Sequence, residues 1–126
     1  MEKYSVTVAG REIPLRYTLR ELSAMEEAIG TMDNFRELIL QGKHRIRNMA
    51  AAIRIMGNAA LEKAGKKAVL TDGWLLDHLD PRQMKTYQIA VLGAFTDGFQ
   101  TEYENQQEQD RDLVLEELER KKDAGN

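Results

Sequence analysis

Cysteine is absent from this 126-residue chain. Its absence excludes disulfides, thiol nucleophiles and thiolate metal sites, and it suits a reducing compartment. The only serines are Ser5 and Ser23, and the only histidines are His44 and His78. Neither serine lies in a G-x-S-x-G elbow. Neither histidine has a partner at the spacing of H-E-x-x-H, and no glycine run spells a phosphate-cradling motif. Two adjacent carboxylate pairs exist, Glu26-Glu27 and Glu116-Glu117. Neighbours on a helix diverge by about 100° and do not converge on one substrate. No apolar run approaches the roughly 18 residues of a membrane span. The start, Met1-Glu2-Lys3, carries no hydrophobic signal core. These absences predict a cytoplasmic protein that is not an enzyme, has no cofactor and has no membrane partner.

What is present is ordinary in amount and uneven in distribution. Apolar residues make up 42% and charged residues 31%, with a net charge of −3. That length and composition predict one globular domain. Residues 101–126 hold nine acids against four bases, a net −5, which leaves +2 on residues 1–100. An acidic tail on a mildly basic body is a hint about assembly.

The pattern along the chain predicts a mainly α fold. A short N-terminal β-hairpin leads into a compact bundle of about five helices over residues 1–100, followed by an acidic helical tail over 101–126. Tyr4, Val6 and Val8 alternate with Ser5 and Thr7, the period of a half-buried strand. Ala9-Gly10 supplies a turn, and Ile13, Leu15 and Tyr17 form a second alternating set. Pro14 confines that strand to an edge. A lone hairpin is marginal in water and needs cover, either from the helices or from another subunit.

Thr18-Leu19-Arg20-Glu21 has the form of a capping box, with Leu19, Leu22, Met25 and Ile29 at helical spacing after it and Gly30 as the stop. Asp33 is the expected cap of a short second helix ending at Gly42. The longest helix runs from about Lys43 to Ala64. Its stripe is Ile46, Met49, Ala50, Ile53, Met56, Ala60 and Leu61, with Arg47, Arg54, Asn58 and Glu62 opposite. Thr71 caps a short helix carrying Trp74 and Leu75. Asp80-Pro81 restarts the chain into a last helix with Met84, Gln88, Val91, Leu92, Phe95 and Phe99 on one face. Gly93 and Gly98 in that helix suggest close approach by another helix.

Residues 36–67 hold eight bases and only two acids, Glu37 and Glu62. Lys43, Arg45 and Arg47 fall at a helix start, where cations oppose the dipole and require an anion. Duplex phosphate is one candidate, which makes a small helical DNA-binding regulator the alternative reading. The acidic tail of a neighbouring copy is another.

The order of these pieces resembles the tail assembly chaperones of long-tailed bacteriophages and prophages. Gly10-Arg11-Glu12-Ile13-Pro14-Leu15-Arg16-Tyr17-Thr18-Leu19 resembles the family's opening, a G-x-x-x-P-L-R-[YF]-T strand running into the first helix. The glycine-ended first helix, the alanine-rich Met49 to Ala60, the Leu70-Thr71-Asp72-Gly73-Trp74-Leu75 cap and the Asp80-Pro81 helix with Val91 to Gly98 continue the likeness. It spans about residues 4–100. The resemblance implies a protein absent from the mature virion. Such a protein coats and solubilises the tape measure protein, self-associates into rings or spirals, and helps recruit tail tube subunits. In many of these phages a ribosomal frameshift makes a longer form that contacts the tail tube protein; Lys121-Lys122 is compatible with a slippery codon run.

With that role in view, Met49, Ile53 and Met56 are the expected core or partner-binding groove. Leu113, Val114 and Leu118 are the expected partner contact in the tail. Tyr4, Val6, Ile13 and Leu15, with Arg45 and Arg47, are the expected self-assembly residues.

Overall fold

The computed structural model describes residues 2–98. The chain is mainly helical. A two-stranded antiparallel hairpin, β1 (Tyr4–Val8) and β2 (Arg11–Leu15), precedes five helices. These are α1 (Leu19–Ala28), α2 (Phe35–Leu40), α3 (Arg45–Lys63), α4 (Asp72–His78) and α5, over residues 84–98. Single 3-10 turns, Met32–Asn34 and Pro81–Gln83, lead into α2 and α5. The tail expected over 101–126 and Phe99 lie outside the described residues.

The hairpin register pairs Val8 with Arg11, Val6 with Ile13 and Tyr4 with Leu15. Both loop residues have positive φ, Ala9 at 51° and Gly10 at 76°. That is the primed turn whose twist suits a two-residue hairpin. Its residues set the hydrogen-bonding phase: Val8–Arg11 exchanges bonds, and alternate pairs follow. Ser5–Pro14 therefore falls on a non-bonded pair. The amide hydrogen that Pro14 lacks would have pointed away from β1, so the ladder loses nothing. Val6, Val8, Ile13 and Leu15 all point into the core.

The cover this hairpin needs comes from the helices of its own chain. β2 lies on α3, where the Arg16 amide donates to the Met56 carbonyl at 3.0 Å. Gly57 makes that approach possible. A Cβ there would lie 2.8 Å from Ile13 Cγ2 and 2.6 Å from Leu70 Cδ1. α3 is the axis of the fold, flanked by β2, α1, α2 and α4. Met49, Ala50, Ala51, Ala52, Ile53, Met56 and Ala60 are all buried along it.

Local signals hold at several boundaries. Thr18 caps α1: its hydroxyl accepts from the Arg20 amide, and the Glu21 carboxylate accepts from the Thr18 amide at 2.9 Å. Thr71 accepts from the Trp74 amide, and Asp80 from the Arg82 amide, each starting the next turn.

Other expectations need correction. Asp33 caps nothing: it sits inside the 3-10 turn, whose backbone bonds hand the chain to α2 without a side-chain cap. Leu19 is 65% exposed, because the capping box draws Glu21 inward and residues two apart on a helix point nearly opposite ways. Ile46 is also exposed. Asn58, placed on the solvent side by periodicity, grips the loop before α4. Its amide donates to the Leu70 carbonyl and accepts from the Leu70 amide, both at 3.0 Å. Arg54 likewise reaches across to Asp72 at 2.7 Å. α5 is rotated from the expected face: Tyr87, Ala90, Val91 and Ala94 are buried, while Met84, Leu92 and Phe95 are half-buried.

Candidate functional site

The candidate residues divide by burial. Met49, Ile53 and Met56 have no exposed surface, and Val6, Ile13 and Leu15 have at most 5%. The core half of the expectation for Met49, Ile53 and Met56 holds. A partner-binding groove on them is corrected, because their side chains are wholly buried in the core. Val6, Ile13 and Leu15 are corrected in the same way from assembly contacts to core. They spend their apolar faces on their own helices. Leu113, Val114 and Leu118 lie outside the described residues.

Tyr4 is half-buried and belongs to a clasp between the open end of the hairpin and the last turns of α5. The Asp97 carboxylate accepts from Lys3 Nζ and from the Tyr4 hydroxyl, each at 2.8 Å. Those two bonds hold the Asp97 carboxyl below its usual range; the same bonds push Lys3 and Tyr4 upward. The Tyr4 ring lies on Gly93, where a Cβ would come within 2.5 Å of it. One turn and a half later Gly98 receives the Tyr17 ring. The two α5 glycines therefore admit the rings of Tyr4 and Tyr17, where approach by another helix was expected. Tyr17 meets Phe95 edge-on at 5.4 Å, and Phe95 meets Phe35 at 4.5 Å, which ties β2, α5 and α2 together.

Grooves with polar linings open at the surface of the described residues. One, of about 450 Å³, runs beside β1 between Ser5, Thr7 and Gly10 on one wall and His78, Asp80, Gln83 and Tyr87 on the other. Its charged groups are engaged. Asp80 is paired with Arg82, which holds its carboxyl below the usual range. His78 Nδ1 lies 2.8 Å from the Trp74 carbonyl and its ring stacks on Trp74. The Tyr87 hydroxyl accepts from the Asp80 amide at 2.9 Å. The second groove, at the start of α1, is lined by Arg16, Arg20, Glu21, Glu62 and Lys63. Arg16 is paired there with Glu2. Among the described residues no group of three histidine, aspartate or glutamate side chains could hold a metal ion. None of the described helices is long and apolar enough to cross a membrane.

Arg45 and Arg47 are exposed at the start of α3, as are Lys43 and His44. Arg45 donates to the Gly42 carbonyl at 3.0 Å. Residues that periodicity missed are Gly57, Asn58 and Tyr87. A glycine inside a long alanine-rich helix was the available signal for Gly57, since it costs about 1 kcal/mol unless something approaches closely. No family model matches this chain, and neither a curated protein nor a solved structure shows significant similarity to it.

Proposed function

We propose that this chain is a non-enzymatic tail assembly chaperone of a long-tailed phage or prophage. It binds and solubilises the tape measure protein, works in the host cytoplasm, and is left out of the finished virion. It helps recruit tail tube subunits, in some systems through a frameshifted longer form. The observation that carries the reading is the Gly10–Leu19 stretch. Its resemblance to the family's opening falls on one continuous device: a primed turn, an edge strand with proline on its outward phase, and a threonine cap. Four of the described carboxylates are spent on structure. Asp72, Asp80 and Asp97 are each held by a cation, and Glu21 by its own cap.

The DNA-binding alternative has the exposed Lys43, Arg45 and Arg47 in its favour. Co-expression decides between the two. A tape measure protein co-expressed with this chain should move from the pellet to the soluble fraction. An unchanged pellet would sink the chaperone reading, the more so if the chain shifted duplex DNA with a steep salt dependence.

A further inference from the structure

One end of the molecule gathers positive charge that no ion pair among the described residues balances. Asn48 Nδ2 donates to the Leu38 carbonyl at 3.0 Å, and Gln88 Nε2 to the Ile39 carbonyl at 3.3 Å. These bonds bring the start of α3 and the first half of α5 to the same carboxyl end of α2. Lys43, Arg45, Arg47 and Lys85 are exposed there, and none of them forms an ion pair among the described residues. The sequence holds no carboxylate between Glu37 and Glu62, or between Asp80 and Asp97. Ile46 and Ile89, 45% and 61% exposed, stand among these cations. The surface is therefore basic with apolar points.

Residues 110–119 have the opposite character. They carry Asp110, Asp112, Glu116, Glu117 and Glu119 against one base, Arg111, and they include Leu113, Val114, Leu115 and Leu118. Four surplus cations with two isoleucines face a net −4 with four apolar side chains. Charge and apolar character match, and the position of the last described residues favours the tail of another copy. From Gln88, α5 runs ten residues, about 15 Å, away from the basic end. Its last described turn lies where Asp97 meets Lys3 and Tyr4. The last described residues of α5 therefore lie at the end of the body opposite the basic surface.

We infer that the basic end formed by Lys43, Arg45, Ile46, Arg47, Lys85 and Ile89 is the docking surface for residues 110–119 of a second copy of this chain. The contact is heterologous, head to tail, so each copy that docks leaves one basic end and one tail free for the next. This inference gives self-association a defined surface and does not depend on tape measure binding. A chain that stacks in this way and still leaves the tape measure protein insoluble would keep the inference and sink the proposed function.

The test uses three full-length proteins in sedimentation velocity: the native chain, K43E/R45E/R47E and E116K/E117K/E119K. The native chain should grow in mass with concentration at low salt. It should dissociate between roughly 0.05 and 1 M salt, as the screening length falls to about 3 Å. Each reversal should weaken association about tenfold or more, because like charges then face each other. An equimolar mixture of the two variants should re-associate. L113S/V114S/L118S leaves the net charge untouched and should weaken association as well, which separates docking from a general charge effect. Circular dichroism melts matching the native chain confirm that the variants fold. A native chain that stays monomeric at every concentration overturns the inference. So does one whose Lys43 is shielded from acylation at infinite dilution, which would put the tail on its own body. Self-association left intact by K43E/R45E/R47E overturns it too.

Discussion

α3 behaves as two different surfaces on one helix. From Met49 to Ala60 it is enclosed: β2, α1, α2 and α4 all pack on it, and Met49, Ile53 and Met56 have no exposed surface. From Arg45 to Arg47 everything is exposed, and the charges are unpaired among the described residues. Hydrophobicity alone does not explain the contrast, since Ile46 sits in the open part. Side-chain size does. Ala50, Ala51, Ala52 and Gly57 let neighbours approach closely, whereas long cations at the start keep neighbours off. The enclosed part gives the molecule its stability, and the open part is left for something else to cover.

That contrast can be broken or sharpened by substitution. The largest effect belongs to the enclosed part. Ile53→Ala should destabilise the fold by about 2–5 kcal/mol in urea unfolding, through lost burial plus a residual cavity. A loss below about 1 kcal/mol would mean that α3 is not closed there. Gly57→Ala comes next. Helix propensity favours it by about 1 kcal/mol. The new methyl group meets Ile13 Cγ2 and Leu70 Cδ1 far inside contact distance. Overpacking of this kind costs about 1–3 kcal/mol, so the net effect should be destabilising. A more stable G57A protein would show that β2 and the Leu70 loop can give way.

The clasp at Asp97 lies between the two extremes and is sensitive to pH. Its folded pKa is depressed by bonds from Lys3 and Tyr4. A depressed carboxyl contributes stability above its unfolded value, about 3.8, and loses it as pH falls through the lower folded value. Carboxyl NMR should therefore find Asp97 titrating below a free aspartate. Asp97→Asn should remove that part of the acid sensitivity. An Asp97 that titrates normally would mean the clasp is open in solution. The smallest effect belongs to the open part: Arg47→Ala should change stability by no more than about 0.5 kcal/mol. A larger loss would mean that Arg47 is held by a neighbour and that the two parts of α3 are less distinct than they look.

The local devices were legible in the sequence. Thr18, Thr71 and Asp80 act as caps because a short polar side chain before an apolar run has one favourable use there. The Ala9-Gly10 turn and the edge position of the Pro14 strand were legible for similar reasons. Long-range choices were not. Apolar periodicity treats Met49 and Ile46 alike, and only the arrival of β2 and α2 separates a core residue from an exposed one. Asn58 read as a solvent residue because its partner is the backbone of a loop twelve residues on. For the candidate site, the exposure of Arg45 and Arg47 followed from their charge. The burial of Val6, Ile13 and Leu15 could not be told from an assembly face, since both uses demand the same alternating pattern.

The distance in sequence between Tyr4 and Asp97, 93 residues, also bears on the order of events during translation. β1 is among the first segments to leave the ribosome, and its cover on α5 is among the last of the described helices. Contacts this far apart close slowly. Every nascent chain therefore passes through an interval in which Val6 and Val8 are already made and the last turns of α5 are not. Closure of the Tyr4 clasp is a late step, so translation stalled before Gly93 leaves β2 able to dock on α3 but Tyr4 without its seat.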